Sequence, residues 1–269
     1  FSWQERMENM KPDNLNTINR SFQIQASNFE SKSSNFTKAS FLDYTISCVK
    51  PDSTDTFLEV ASGTCVCGRS FAPLVQSVVC LDATVPMLEV GQLEAQKCQL
   101  HNITFVKGYA EELPFLDNSF SVVFSRLAFH HFTNVTAAFD EMVRVVNHGG
   151  KLVLIDMESA CEENRITEDE IETLRDPSHV KNMSRSEMLD LYHSHNLSVE
   201  KCESTSIQQN LKSWLNLTKT PQNIQDEITE RMSAEINGGA KTGFSPYLQN
   251  GEICFNQKWI LLIGRKPRL

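Results

Sequence analysis

No stretch of the 269-residue sequence approaches the roughly 20 consecutive apolar residues of a membrane-spanning helix, so stable membrane insertion is not expected. The first residues, Phe1-Ser-Trp-Gln-Glu-Arg6, are polar and lack the charged-then-apolar pattern of a secretory signal. A cytoplasmic protein is therefore expected, and Asn-x-Thr triplets such as Asn134-Val-Thr136 carry no glycosylation reading. Basic runs are equally scarce. The longest is Gly264-Arg-Lys-Pro-Arg268, a solvated run near the end, and 25 Lys+Arg against 34 Asp+Glu leave a net charge of −9. A surface of that sign repels phosphate backbones, so no nucleic-acid partner is expected. Cys65-Val-Cys67 has the wrong spacing for a Cys-x-x-Cys pair and no matching His/Cys pair follows, so no metal site is expected. The eight cysteines are scattered, several inside apolar runs such as Ser77-Val-Val-Cys-Leu81. They read as small buried hydrophobes in a reducing compartment. No internal repeat occurs.

What is present is core-forming material: 40% hydrophobic, 22% charged and 9% aromatic residues, enough to exclude a disordered chain. At roughly 150 residues per domain, the length suits one large domain or two modest ones. Up to about Lys50 the chain is polar, with Phe22, Ile24, Phe29, Phe36, Phe41, Leu42 and Ile46 interspersed at partly helical spacing. One or two helices are expected there, ending before Pro51.

From Thr54 short apolar runs alternate with amphipathic segments. Strands are expected at Thr56–Ser62, Ser77–Asp82, Ile103–Lys107, Phe120–Ser125 and Lys151–Ile155. Helices are expected at 63–76 (with its leading turn), 85–100 and 135–146, the last stopped by Asn147-His-Gly-Gly150. This alternation implies a mainly parallel sheet with helices on both faces, which binds ligands outside the carboxyl ends of its strands. After Asp156 the rhythm breaks. Residues 162–182 read as charged and helical, 184–196 as a helix with the capping box Ser184-Arg-Ser-Glu187, and 197–207 as a strand. A helical insertion around Trp214, interrupted by Pro221, spans 211–236, and Glu252–Gly264 closes as an apolar strand.

Phe57-Leu-Glu-Val-Ala-Ser-Gly-Thr64 carries the strongest chemical signal. A strand runs into a turn of small residues, which lets a ligand approach the backbone closely. About twenty residues later Asp82 ends the second strand, where a carboxylate accepts hydrogen bonds from a ribose diol. Taken alone, the same residues also suit a tight strand-to-helix turn with a capping aspartate.

Further segments follow in order: Leu81-Asp-Ala-Thr-Val-Pro-Met-Leu88, Phe105-Val-Lys-Gly-Tyr-Ala-Glu-Glu-Leu-Pro-Phe115, Asn118-Ser-Phe-Ser-Val-Val-Phe-Ser125, His130-His-Phe132 and Glu141-Met-Val-Arg-Val-Val-Asn-His-Gly-Gly-Lys-Leu-Val-Leu154. Together they resemble class I S-adenosylmethionine-dependent methyltransferases of the group that includes the ubiquinone and menaquinone C-methyltransferases. The resemblance is strong from Glu59 to Asp156. Beyond it, Arg175-Asp-Pro-Ser-His179 and the Trp259 region also look like one bacterial branch. It implies a Rossmann-like, seven-stranded, mostly parallel α/β sheet with helices on both faces and the last strand antiparallel. An N-terminal helical cover (1–50) would precede a methyltransferase domain (51–269) whose helical insertion (207–247) caps the acceptor site.

The resemblance also implies roles. Glu59 stands near the methionyl ammonium, and Ala61, Ser62, Gly63 and Thr64 form the turn beside the methionine part. Asp82 takes the ribose hydroxyls, Met87 packs on the adenine, and Ala110 and Glu111 lie at the adenine edge. Ala83, Gly108 and Tyr109 are also counted among the cofactor-binding residues, while Ser125, Arg126 and Leu127 come near the sulfonium. The cofactor implied is S-adenosylmethionine, leaving as S-adenosylhomocysteine, and the partner is a small-molecule methyl acceptor.

Three positions depart from the pattern: Ala61 replaces the first glycine of the turn, Cys65 its last glycine, and Tyr109 the aspartate that usually accepts from the adenine amino group. A non-catalytic or altered-cofactor binding protein on the same fold is thus the alternative. An NAD-type oxidoreductase is disfavoured because the turn lacks Gly-x-Gly-x-x-Gly. His130 and His131, just past the fourth strand, are candidate bases, or else they pack and cap the next loop. Phe22, Phe29 and Phe36 form a lid or simply pack, and His179 faces the acceptor or caps a turn. Trp214 bounds the acceptor pocket or covers the sheet edge. Arg126 needs a carboxylate such as Glu111, or an anionic acceptor, beside it. The acceptor, the acceptor atom and the oligomeric state are not legible in the sequence.

Overall fold

The computed structural model describes residues 14–29, 39–159 and 161–268. Phe36 and the side chain of Phe29 lie outside the described residues. Five parallel strands follow the expected alternation: β1 (Thr56–Val60), β2 (Ser77–Asp82), β3 (Ile103–Lys107), β4 (Phe120–Arg126) and β5 (Val146–Met157). β8 (Glu252–Arg265) runs antiparallel to β5 on one side and to β6 (Ser198–Asn210) on the other. The sheet order is β3-β2-β1-β4-β5-β8-β6, with the short β7 (Tyr247–Gln249) hairpinned onto β8. The sheet thus has the expected seven strands plus this three-residue extension.

The period-2 alternation of the strands splits the core into two layers. Leu58, Val60, Val123, Leu152, Leu154 and Leu262 face one side. There they pack on helix α5 (Val135–Val145) and helix α7 (Arg185–Ser194) through Phe139, Met142, Met188 and Tyr192. Phe57, Val122, Phe124, Val153, Ile155 and Ile263 face the other side. Their partners include Phe71 of α3 (Val66–Phe71), Leu88 of α4 (Val85–Lys97) and Val49 of α2 (Ala39–Val49). On β1 the same alternation puts Glu59 on the Phe57 face, beneath α3. Helix α1 (Leu15–Phe29) packs against α4. α8 (Leu211–Leu217) and α9 (Gln222–Ile236), split at Pro221, form a third cluster with Phe244 and Phe255 around Trp214.

Two expectations are corrected. Asn147-His-Gly-Gly150 is not a break before the fifth strand but part of it. β4–β5 register shifts from Phe120↔Val146 to Val122↔Lys151, and Gly149 at φ +77° takes the irregular backbone of that bulge. The helix expected over 162–182 ends early: after a short turn at Glu162–Asn164, α6 spans Arg165–Arg175. Asp176 is extended (φ −132°, ψ 105°) because the following Pro177 disfavours a helical conformation in front of it. The capping box at Ser184 is present with both of its hydrogen bonds.

Gly264 shows how tightly β8 meets α7. A Cβ at that position would stand 2.4 Å from Tyr192 Cδ1, on a fully buried ring. Gly264→Ala is expected to destabilise the protein by about 1–3 kcal/mol, read as a lower urea midpoint at unchanged slope.

Candidate active site

Strand order reverses between β1 and β4, so the connections that leave their carboxyl ends pass to opposite faces of the sheet, the position at which open α/β sheets bind ligands. A cavity of about 940 Å³, counted out to its mouth, opens at this point. Its lining includes every residue named above for the cofactor except Ser125. Ser125 is fully buried and gives its hydroxyl to the Val60 carbonyl at 3.0 Å, tying β4 to β1 below the cavity floor. The placement of Ser125 at the ligand is therefore corrected.

The turn after β1 explains the glycines of the family pattern. Ala61, Gly63 and Cys65 all lie in the left-handed region, at φ 52°, 53° and 60°. An L-residue with a Cβ is strained there, by roughly 1–2 kcal/mol. Ser62 N–H donates to the Leu81 carbonyl at 3.0 Å and Cys65 N–H to the Ser62 carbonyl at 2.8 Å, so the chain has no freedom to relax. Cys65 does not line the cavity. Its side chain is fully buried in the α3 layer, with Sγ 3.3 Å from Ser62 Oγ. Gly91 on α4 makes room for this turn, since a Cβ there would stand 2.7 Å from the Thr64 carbonyl oxygen.

Buried carboxylates at strand ends fasten the loops. Glu59 Oε2 accepts from Gly68 N–H at 2.6 Å, and burial pushes its pKa up to about 7. Asp82 Oδ2 accepts from Gly63 N–H and Oδ1 from Thr84 N–H, each at 2.8 Å. Burial raises its pKa as well, against those two hydrogen bonds. Each Asp82 oxygen keeps a lone pair for a further donor. Glu111 is different: both carboxylate oxygens are buried and meet no hydrogen-bond partner among the described residues, and burial raises its pKa. A cavity with an orphaned carboxylate, a second buried carboxyl at Glu59 and free lone pairs on Asp82 fits a ligand rich in donors and positive charge.

At the far wall, Leu127 (φ 53°) turns the chain out of β4, its N–H donating to the Ile155 carbonyl at 2.7 Å. Asp156, at the end of β5, holds the next residues: Oδ2 accepts from Ala128 N–H at 3.1 Å and Phe129 N–H at 2.7 Å, and Oδ1 lies 2.6 Å from His130 Nδ1. His130 is thus a structural partner behind the wall and does not line the cavity, which corrects its reading as a base. Burial opposes its protonation, but Asp156 outweighs it and raises the pKa. His131 does line the cavity; burial and the neighbouring His130 push its pKa down to about 3, leaving a neutral imidazole. His179 sits among buried residues with Nε2 2.8 Å from Asp169 Oδ1, away from the cavity. Trp214 packs inside the insertion with the Arg175 guanidinium 4.2 Å above its ring. Arg126 lies on the cavity wall beside Cys67 Sγ (3.4 Å) and the Trp259 ring (5.7 Å), and its charge acts on Glu59.

Phe22 of α1 reaches the cavity, as does Ile18, which was not singled out from the sequence. Asp156 was also missed, although it ends an apolar strand just as Asp82 does. Val66, Cys67, Leu81, Ala128 and Phe132 complete the lining, and no pattern in the sequence distinguishes them from core residues.

The model of a methyltransferase domain matches residues 58–154. The uncharacterized methyltransferase YcgJ of Bacillus subtilis is 32% identical over 78% of this chain and 83% of its own length. Its crystal structure superposes with a TM-score of 0.78 over 85% of this chain and 98% of that one. The uncharacterized protein YafE of Escherichia coli is 39% identical over 57% of this chain and 75% of its own. A Haemonchus contortus phosphoethanolamine N-methyltransferase, solved in complex with S-adenosyl-L-methionine, shares the fold at 18% identity, with a TM-score of 0.64 over 91% of this chain and 57% of that one. The chain belongs to the class I S-adenosylmethionine-dependent methyltransferase family, and it is a methyltransferase with a Rossmann-like fold.

Ala61→Gly relieves one left-handed Cβ while freeing the unfolded chain by about 0.4–1 kcal/mol. Against a strain of roughly 1–2 kcal/mol, the net expectation is a gain of about 0.5–1 kcal/mol, seen as a higher midpoint in chemical denaturation.

Proposed function

We propose that this methyltransferase binds S-adenosylmethionine in the cavity at the β1–β4 switch point and transfers its methyl group to a small molecule, releasing S-adenosylhomocysteine. The observation that carries the reading is the convergence of Glu59, Asp82 and Glu111 on one cavity at the switch point. Asp82 receives the ribose diol, Glu59 the ammonium of the methionine part, and Met87 packs on the adenine. Glu111, close to Tyr109, is the carboxylate that serves the adenine edge in place of the usual aspartate. The bound cofactor supplies an electrophilic methyl on a sulfonium; the protein's task is alignment and the exclusion of water.

On this reading residues 1–50 act as a cover, with Ile18 and Phe22 over the cavity mouth, and residues 207–247 bound the acceptor side of a domain spanning 51–269. His131 is the base where the acceptor loses a proton, because it is the imidazole that faces the cavity. Eight free cysteines, several of them buried, support a reducing compartment, hence the cytoplasm. Among the described residues no helix is long and apolar enough to cross a membrane.

Calorimetric titration with S-adenosylmethionine and S-adenosylhomocysteine tests the cofactor. Binding of both is expected, weakened about 10–100-fold in Asp82→Ala, the loss of about 1.5–3 kcal/mol of hydrogen bonding to a charged group. Absence of binding to either would overturn the reading.

Glu59 gives a second test. With its pKa near 7 in the ligand-free protein, the carboxyl is largely protonated below that pH and must ionise to meet an ammonium. Affinity for S-adenosylmethionine is therefore expected to rise as pH increases through 7, with a proton released on binding. Glu59→Gln should bind more weakly at pH 8 and lose that dependence, as read from dissociation constants measured between pH 6 and 8.

A further inference from the structure

The segment Arg175-Asp-Pro-Ser-His179 lies outside the cavity lining, yet it grips the one histidine that lines it. His131 Nδ1 is 3.0 Å from the Ser178 carbonyl oxygen and 3.1 Å from Ser178 Oγ. Ser178 is fully buried, and Asp176 Oδ1 accepts from both its backbone N–H (3.0 Å) and its hydroxyl (2.6 Å). A serine hydroxyl has a single hydrogen, and here it is committed to the carboxylate. Toward His131, therefore, the hydroxyl oxygen is an acceptor, and a carbonyl oxygen is always one. Two acceptors on Nδ1 require that the ring hydrogen sit there. Nε2 is left bare, and no donor or acceptor among the described residues reaches it.

The other Asp176 oxygen, Oδ2, accepts from Gln25 Nε2 of α1 at 3.0 Å in a buried contact. Asn14 Nδ2 donates to the His131 carbonyl at 2.9 Å, and the Phe22 ring meets the His131 imidazole edge-on, 5.0 Å between centroids. The helix over the cavity mouth and the carboxylate behind the histidine thus share one hydrogen-bond chain.

We propose that Asp176 is a positioning residue: acting through Ser178 it fixes His131 as the Nδ1–H tautomer with Nε2 open to the cavity, and through Gln25 it links that arrangement to the seating of α1. This rests on the methyl-transfer reading above. In the transfer step the acceptor atom forms a bond to the methyl carbon as the carbon–sulfur bond breaks, its electron pair staying on the sulfur of S-adenosylhomocysteine. The acceptor's hydrogen leaves as a proton to His131 Nε2. The imidazolium so formed faces the Asp176 carboxylate across the Ser178 hydroxyl, which compensates its charge, as an aspartate behind a catalytic histidine does elsewhere.

The test is long-range ¹H–¹⁵N correlation NMR of histidine-labelled full chain, with His131 assigned by its loss in His131→Gln. Each sample is also titrated with S-adenosylhomocysteine. In the wild type the His131 ring is expected to carry its hydrogen on Nδ1 with an unprotonated Nε2; the reverse tautomer, or an averaged pair, overturns the proposal. Asp176→Ala frees the Ser178 backbone N–H and hydroxyl from their shared anchor, so the Ser178 acceptors no longer hold Nδ1 and the ring should enter a tautomer mixture. Asp176→Asn, which keeps the side-chain shape and so keeps the test open if Asp176→Ala does not fold, should lower the pH at which His131 protonates, since the Asp176 charge favours the imidazolium. A ring that stays wholly Nδ1–H in folded Asp176→Ala, or one that protonates at an unchanged pH in Asp176→Asn, overturns the role given to Asp176. Gln25→Leu should leave the tautomer intact while speeding hydrogen exchange in α1 and weakening S-adenosylhomocysteine binding several-fold; unchanged exchange and binding would overturn the link to the helix. A wild type with the expected tautomer but no cofactor binding sinks the methyl-transfer reading alone.

Discussion

Three buried carboxylates, each at the carboxyl end of a parallel strand, hold this site in shape. Glu59 ends the face of β1 under α3, Asp82 ends β2 and Asp156 lies near the end of β5. Each accepts backbone N–H groups from an irregular loop: Gly68 for Glu59, Gly63 and Thr84 for Asp82, Ala128 and Phe129 for Asp156. The loops that leave a parallel sheet carry donors with no ladder partner, and a buried donor left unpaired costs about 1–3 kcal/mol. Strand-end carboxylates satisfy them without adding chain length. The arrangement also concentrates acidic groups at the cavity, so on the proposed reading folding and ligand recognition draw on the same residues.

The backbone carries the complementary strain. Ala61, Cys65 and Leu127 all occupy left-handed conformations beside the cavity. Such conformations persist where surrounding hydrogen bonds over-determine them. Here Ser62, Cys65 and Leu127 are held by carbonyls of neighbouring strands or of the turn itself. Departures from the glycines of the family pattern are therefore tolerated at a cost in stability, and without obstruction: the Cys65 side chain turns into the core, away from the ligand space.

The α/β alternation was legible because buried parallel strands are short apolar runs and their helices are amphipathic. The bounds of β2 and β3 coincide with the expected ones, and Pro221 divides the insertion as expected. Where local signals misled, a tertiary contact had overridden them. Asn147-His-Gly-Gly150 has the composition of a helix stop, but pairing with β4 and with the chain's closing segment draws it into a bulged strand. Most of the cavity lining was legible because those residues sit at fixed offsets from strand ends. The part of the lining contributed by the N-terminal helix was not: Ile18 and Phe22 arrive from far away in sequence, and nothing local marks them.

His130 and His131 make the division plain. The sequence determined that two adjacent imidazoles follow β4 at the ligand-binding edge, because the strand's length and direction put them there. It also determined the acidic strand ends and the small-residue turn, which are local properties of strand exits. Which imidazole faces the cavity and which faces Asp156 was decided only by the tertiary structure. Adjacent residues in a tight turn point in different directions, and their partners, Asp156 and Ser178, are 26 and 47 residues away. Burial and charge then made the two rings chemically different, because both depend on the groups that folding brings together rather than on neighbours in the chain.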